Sequence, residues 1–179
     1  MHRTPTPSRA VLAIALAAAL AACSPALNWR EVRPEGTRLS LLLPCKPDEA
    51  KKVVPLGGRP TALSMLGCEA GGATFAVAVA DVGDAGRAAE VLTRWQALTL
   101  ANMQALPASA QPLALQVPGA SAGVPAVRVQ AQGRRADGSV VSGQAAFFAR
   151  GSQVFQAVLY APQIAPEAAE TFFSSLKFE

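Results

Sequence analysis

A strand pattern gives way to a helix pattern at Thr74-Phe-Ala-Val-Ala-Val-Ala-Asp81 and the residues after it. Alternate residues of a strand point to opposite faces of the sheet, so Phe75, Val77 and Val79 share one face and only alanines occupy the other. Because alanine leaves room for a close neighbour, this stretch predicts a buried strand with a helix packed closely against it.

The residues that follow change their apolar period from two to between three and four. From Ala85 to about Leu106 the apolar positions recur as they do in an amphipathic helix. Asp84 is placed to cap the N-terminus of this helix, and Pro107 to end it. The predicted buried stripe comprises Ala88, Val91, Leu92, Trp95, Leu98, Asn102 and Leu106.

Strand patterns precede this unit. Leu39–Leu43 is an apolar run that stops at Pro44. Further on, Gly57-Gly58 separates the run Lys52–Leu56 from a return strand at Thr61–Glu69. Glycines between two apolar runs are typical of a hairpin turn, so we expect these two runs to pair.

More strands and a closing helix are predicted after it. Asp137-Gly138 and Gly151-Ser152 are turn signals between apolar runs. Proline in the first turn favours a helix over Pro166–Phe173. Within Ala126–Gln132, two valines and an alanine oppose Arg128, Gln130 and Gln132. The remaining predicted strands are Leu113–Val117, Ser139–Arg150 and Gln153–Ala161.

The order strands, helix, strands, helix favours the α+β class. We expect an antiparallel β-sheet with one long central helix and a C-terminal helix covering a face. Residues 29–179 have a length that suits a single α+β domain. Residues 23–28 would form a short tether ahead of that domain.

Residues 1–22 have the layout of a secretory signal. Arg3 and Arg9 precede the apolar run Val11–Leu20, and small residues follow. The run has roughly a dozen residues, whereas a membrane-spanning helix needs about 20. We therefore expect residues 1–22 to be removed as a signal peptide rather than retained as a transmembrane anchor.

The end of this segment, Leu20-Ala21-Ala22-Cys23, resembles the bacterial lipobox. The resemblance implies a lipoprotein signal peptide, cleavage before Cys23, a diacylglycerol on its thiol and acylation of the new amine. Several acyl chains hold a protein stably at a membrane. We therefore expect the membrane to be a partner of this protein through lipid on Cys23. Ser24 follows the cysteine, and in some enteric bacteria that favours the outer over the inner membrane. The alternative is an ordinary secreted protein whose signal ends near a cysteine.

The charge of the mature chain gives no indication of nucleic-acid binding. Without Arg3 and Arg9, the 16 basic residues fall to 14 against 12 acidic residues. The remaining basic pairs, Lys51-Lys52 and Arg134-Arg135, are isolated, whereas a nucleic-acid site needs a basic patch. We expect no nucleic-acid partner.

The sequence also argues against several kinds of catalysis. Its one histidine, His2, lies in the signal, so the mature chain would lack Ser-His, Cys-His and imidazole-metal chemistry. Gly119-Ala-Ser-Ala-Gly123 fits the G-x-S-x-G pattern, but Val124-Pro125 follows where a helix is required, which favours a loop. Ser174-Ser-Leu-Lys177 fits S-x-x-K without its partner motifs. We expect no enzyme activity and no cofactor.

Asp81 and Asp84 are a possible carboxylate pair for acid-base work or for calcium. A strand end followed by a helix cap accounts for both residues, so we expect no metal site. Of the two tryptophans, Trp95 lies on the predicted helix stripe and is expected in the core, whereas the place of Trp29 is left open.

Cys45 and Cys68 remain once lipid has consumed Cys23. In an oxidising compartment an even pair predicts a disulfide, and we expect one between them if Leu39–Leu43 and the return strand are neighbours in one sheet. The alternative is two buried reduced thiols.

The chain as a whole resembles the PsbP-like fold and small uncharacterised lipoproteins of Gram-negative bacteria. The resemblance rests on Glu35-Gly36, a short strand ending at Pro44, a central helix with tryptophan, late hairpins and the closing Phe172–Phe178. It implies an α-β-α sandwich and an accessory role in larger assemblies, and it carries over no catalytic or metal-binding residue.

These observations favour a membrane-anchored periplasmic lipoprotein that acts as a non-enzymatic binding or accessory module. Its partner would be a protein or an envelope component. Two alternatives stay open: a histidine-free hydrolase, and a carrier of a small apolar ligand. Convergent carboxylates in a pocket would favour the hydrolase, and an empty apolar cavity the carrier.

Overall fold

The structure, a computed structural model, describes residues 27–105 and 107–179. In these two ranges it has mixed α+β structure, as expected, with antiparallel strands and two α-helices. None of the helices described is long and apolar enough to cross a membrane. The helices are α1 (Ala88–Asn102) and α2 (Pro166–Ser174). The strands are β1 (Arg30–Val32), β2 (Leu39–Leu43), β3 (Asp48–Leu56), β4 (Arg59–Ala70), β5 (Ala73–Asp81), β6 (Gln111–Leu113), β7 (Val127–Arg134), β8 (Val140–Arg150), β9 (Gln153–Ala161) and β10 (Lys177–Phe178).

The strands form two sheets rather than the expected one. The larger sheet has seven strands in the order β3-β4-β5-β9-β8-β7-β6, and the smaller has three in the order β1-β2-β10. In the smaller sheet, Arg30 pairs with Leu43 and Lys177 pairs with Ser40. Strands as short as β1 and β10 show no periodicity in a sequence, so their pairing with β2 could not be predicted.

Helix α1 covers one face of the seven-stranded sheet. Its buried residues Ala88, Val91 and Leu92 join a cluster that includes the β5 alanines Ala78 and Ala80. The small side chains let the helix approach the strand closely. The predicted arrangement of a buried strand under a close helix is confirmed.

The opposite face carries α2 and the three-stranded sheet. Phe148 and Phe155 stack with ring centroids 5.2 Å apart, and Phe178 of β10 meets both rings edge-on. The leucines of β2 and Phe172 and Phe173 of α2 complete this cluster. We call it the aromatic cluster.

Several predicted boundaries are confirmed. The β3–β4 hairpin turns at Gly57-Gly58 with φ of +59° and +79°, the left-handed conformation of a two-residue primed turn. The Asp84 carboxylate accepts a hydrogen bond from Gly86 N at 2.8 Å, at a 3₁₀ turn (Ala85–Arg87) that leads into α1. Helix α2 begins at Pro166 as expected.

The predicted end of α1 is wrong by about four residues. The helix stops at Asn102, where Gln104 adopts φ +50° and Ala105 N donates to Leu100 O at 3.0 Å. Together with Gln104 N to Ala101 O at 2.9 Å, this is a Schellman stop, so Pro107 is not needed to end the helix. The stripe also differs, because Leu98 is exposed and Thr99 is buried. Leu106 lies outside the described residues.

The predicted strand Leu113–Val117 is also wrong beyond its first residue. Strand β6 ends at Leu113, and the chain then leaves the sheet edge. Val117 is buried in the aromatic cluster, and Pro118 O accepts a hydrogen bond from Phe178 N at 2.8 Å. The apolar run therefore reflects burial in a loop, which periodicity does not separate from a strand.

Candidate binding site

An open cleft of about 780 Å³ lies on the α2 face of the seven-stranded sheet, beyond the end of the aromatic cluster. Its floor is formed by β6, β7 and β8, and α2 forms one wall. Seven of the sixteen residues that line it are uncharged and polar, and we call it the polar cleft. These seven are Ser109, Gln111, Gln130, Gln132, Ser142, Gln144 and Gln163.

Strand register brings this floor together. In the β7–β8 pair, Gln130 lies opposite Gln144 and Gln132 lies opposite Ser142. Residues two apart on a strand share a face, so Arg128 follows on the same face, opposite Ala146 of the aromatic cluster. Arg128 therefore stands at the border between the polar and apolar parts of this face.

The Arg128 side chain is only 9% exposed although it carries a full charge. Its guanidinium carbon lies 4.0 Å from the centroid of the Phe173 ring, a cation–π contact. Its Nη2 donates to Gln144 Oε1 at 2.5 Å. These two contacts hold the guanidinium in the cleft lining.

The other donors of this guanidinium are incompletely paired. Among the described residues, Nε of Arg128 is buried without a hydrogen-bond partner. Nη1 lies 3.9 Å from Glu170 Oε2, which is beyond hydrogen-bond distance, and the Glu170 side chain is 74% exposed. The charge is therefore buried with one close acceptor and one distant, solvent-exposed carboxylate.

Burial lowers the pKa of Arg128 below its usual value, and the nearby Glu170 carboxylate acts in the opposite direction. Arginine is not deprotonated in proteins, so the group stays cationic at neutral pH. A buried cation without a full set of acceptors favours an anionic group near it.

A second, smaller groove of about 450 Å³ lies on the α1 face. Apolar residues such as Trp95, Leu98 and Met103 line it, and Gln156 Nε2 donates to Thr99 Oγ1 at 2.6 Å across it. Tyr160 also lines the groove, and burial raises its pKa. The groove is open and partly polar rather than an enclosed apolar cavity.

The predicted disulfide between Cys45 and Cys68 is confirmed, with Cα atoms 6.0 Å apart. The expected reason for their proximity is wrong, because Cys45 follows β2 of the small sheet whereas Cys68 lies in β4 of the large one. The bond therefore links two sheets across the aromatic cluster. Cys23, the predicted lipid attachment site, lies outside the described residues.

The serines of the two sequence motifs, Ser121 and Ser174, lie in a loop and at the end of a helix. Ser121 is in a loop, as predicted, and its Oγ accepts a hydrogen bond from Gly151 N at 3.0 Å. Ser174 is exposed at the end of α2, while Lys177 Nζ lies 3.8 Å from Glu179 Oε1. The neighbouring Ser175, which sequence reasoning missed, accepts from Leu42 N at 2.9 Å and so ties α2 to β2.

The two aspartates cap turns, as the strand-end and helix-cap interpretation predicts. Asp81 ends β5 and accepts from Gly83 N at 2.8 Å. Within the two ranges described, no group of three or more potential metal ligands occurs. Trp95 lies on α1 and is buried as expected, and Trp29 meets Phe75 edge-on at 5.8 Å beside the aromatic cluster.

In the cleft, Arg128 is the functional candidate that sequence reasoning missed. It alternates with Val127 and Val129 in the sequence, and Arg128 and Val129 are buried on opposite faces of β7. An arginine inside a strand whose neighbours are apolar is the available signal, because arginine is seldom fully buried unless paired.

Comparison with known proteins assigns no family. No protein-family model matches the chain, and no curated protein matches it. Among solved structures, a protein of unknown function from Pseudomonas aeruginosa overlaps with a TM-score of 0.34 and 16% sequence identity. The overlap covers 74% of this chain and 82% of that one.

Proposed function

We propose that the protein is a lipid-anchored, periplasm-facing lipoprotein that acts as a non-enzymatic binding or accessory module. Lipid on Cys23 would hold it at the membrane, the outer membrane rather than the inner. The bound partner would be a protein or an envelope component, contacted through the polar cleft. We further propose that residues 29–179 form one domain with the PsbP-like α-β-α arrangement.

The observation that carries the binding role is the incompletely paired Arg128 in the lining of an open cleft. A buried guanidinium with unused donors is costly for a protein that has no ligand for it. Around it, serine and glutamine side chains can both donate and accept hydrogen bonds. Such a surface suits recognition by several hydrogen bonds and one charge.

The two alternatives have less support. A hydrolase would need an activated nucleophile, and the Ser121 hydroxyl is engaged with the β8–β9 turn rather than with a base. A carrier of a small apolar ligand would use the α1 groove, but that groove is open and contains the Thr99–Gln156 hydrogen bond.

Site-specific photocrosslinking in intact cells tests the binding role. A photoreactive residue at Gln130, on the cleft floor, should capture one defined envelope partner. The matched control places the same residue at Thr93, which is exposed on α1 on the opposite side of the sheet. Equal capture from both positions, or none from Gln130, would contradict binding through the cleft.

Lipid anchoring is tested separately. Cys23→Ser should leave an uncleaved or unanchored chain, because the acceptor thiol is lost. Density separation of membranes should place the unchanged protein with the outer membrane. Normal membrane-bound maturation of Cys23→Ser would refute lipidation, and recovery with inner-membrane fractions would refute the outer-membrane assignment.

A further inference from the structure

We infer that the polar cleft binds an extended peptide segment through a carboxylate that pairs with Arg128. This inference rests on the proposed binding function and names the ligand's chemistry. The partner would be a polypeptide that presents one acidic group in an extended stretch.

The carboxylate is assigned from the state of the Arg128 donors. A guanidinium offers five N–H donors in a fixed fork that matches the two oxygens of a carboxylate. In Arg128, Nη2 uses one donor on Gln144, Nε has no partner among the described residues, and Nη1 has only a distant one. A ligand carboxylate entering from the cleft would supply Nη1 with the acceptor that Glu170 does not provide.

The peptide is assigned from the rest of the lining. The amides of Gln130, Gln132 and Gln144 donate and accept as backbone peptide groups do, and strand spacing sets them in rows along the floor. None of the described residues that line the cleft is aromatic, so it has no platform on which a base could stack. An extended chain with regularly spaced N–H and C=O groups fits such rows.

Glu170 would act as a competitor of the ligand. Its carboxylate sits at the cleft edge, 3.9 Å from Nη1 of Arg128, and is exposed enough to move away. A ligand carboxylate has to approach the same guanidinium against the repulsion of this charge. Removing the Glu170 charge should therefore strengthen binding, whereas removing the Arg128 charge should weaken it.

The test uses the full chain as the host cell processes it, purified in a mild detergent. The probe is a short serine- and threonine-rich peptide with one central glutamate and both ends blocked. A second probe has glutamine in place of the glutamate, and a third has that glutamine and a free C-terminal carboxylate. Nuclear magnetic resonance would follow the Arg128 Nε–H signal and the glutamine side-chain amides during titration.

We expect the glutamate probe to shift these signals and to bind at least about tenfold more tightly than the blocked glutamine probe. Arg128→Gln should weaken it by about tenfold or more. Glu170→Gln, a surface change that leaves the core intact, should tighten it about twofold to fivefold. The matched control is Arg150→Gln, because Arg150 also stacks on a phenylalanine, Phe178, at 5.1 Å but does not line the cleft.

If the probe with a free C-terminal carboxylate binds as well as the glutamate probe, the carboxylate belongs to a chain terminus. If the glutamate probe alone binds, the carboxylate belongs to an acidic side chain. Both results support the inference. Equal binding of the two blocked probes, or weaker binding to Glu170→Gln, would overturn it. A response to glucuronate, a non-peptide carboxylate titrated in parallel, without any response to peptide would also overturn it. Such a failure would leave a Gln130 crosslink intact, so it is distinguishable from failure of the binding role itself.

Discussion

The two faces of the seven-stranded sheet are built from the same strands but with different side chains. On the α1 face, β5 and β8 present mainly alanines, and Gly133 and Gly143 sit under Met103 at the end of the helix, where a Cβ would overlap it. On the α2 face, large apolar side chains such as Phe75 of β5 and Phe148 of β8 fill one half, and Gln144 of β8 with the β7 glutamines lines the other.

The difference shows that the size of the side chains on each face of the sheet matches the element that packs against that face. Small residues let a long helix lie close, so α1 needs little bulk to exclude water. The α2 face is covered by a short helix and a three-stranded sheet, and large aromatic rings fill the space between. Where that cover stops, the strands turn polar, and the cleft with Arg128 begins.

The largest effect is expected within the apolar half of the α2 face. Phe172 is fully buried and packs edge-on against Phe75 with ring centroids 5.4 Å apart. Phe172→Ala should lower the free energy of unfolding by about 3–5 kcal/mol. Urea denaturation followed by tryptophan fluorescence measures it. Gln130→Ala in the polar half is the control and should change stability by less than about 0.5 kcal/mol; similar losses in both would remove the contrast between the halves.

The link between the two sheets should contribute the next largest effect. The Cys45–Cys68 bond has a sequence separation of 23 residues. Replacing both cysteines by alanine should lower the free energy of unfolding by roughly 3 kcal/mol, because the unfolded chain gains the freedom of an open loop. Urea denaturation again measures the change. Alkylation of the denatured, unreduced protein should label neither thiol, and labelling of both would show that the bond is absent.

A smaller effect is expected in the polar half. Gln144→Leu removes the acceptor of the Arg128 Nη2 hydrogen bond and should destabilise the fold by about 1.5–3 kcal/mol. Gln130→Leu is the matched change on the opposing strand, where the Gln130 amide donates to Oε1 of the exposed Gln111. Thermal denaturation of both variants decides the point. If the two variants behave alike, Gln144 does not support the buried charge.

The smallest effect belongs to the α1 face and appears only at high pH. Burial raises the pKa of Tyr160, so its neutral form is favoured in the folded protein. The resulting stability is fully present below about pH 10, the ordinary tyrosine value, and is lost as the pH rises through the folded pKa. Tyr160 is the one tyrosine in the sequence, so ultraviolet absorbance of tyrosinate reports it directly. Tyr160→Phe should remove this pH dependence, and a titration at the ordinary value in the folded protein would contradict it.

Much of the fold was predictable because the signals are local. The alternation at Phe75, Val77 and Val79, the glycines of the β3–β4 turn and the proline of α2 each determine a backbone conformation within a few residues. The predictions failed where the deciding contact is distant. Leu98 was expected to be buried, but it is exposed and the neighbouring Thr99 is buried instead. Thr99 contacts Gln156 of the sheet, which is 57 residues away in sequence.

By itself the sequence determined the α+β class and most strand and helix positions, because periodicity and turn residues are local signals. It also determined the Cys45–Cys68 pairing, because only these two cysteines remain once Cys23 is assigned to lipid. The tertiary structure alone decided that there are two sheets, that the disulfide joins them, and that Arg128 is buried beside the cleft. The physical reason is that burial depends on what covers a strand. Arg128 and Gln130 share one face of β7, but Arg128 is buried against Phe173 whereas Gln130 is partly exposed in the cleft. The sequence of β7 alone does not indicate where α2 packs against the sheet.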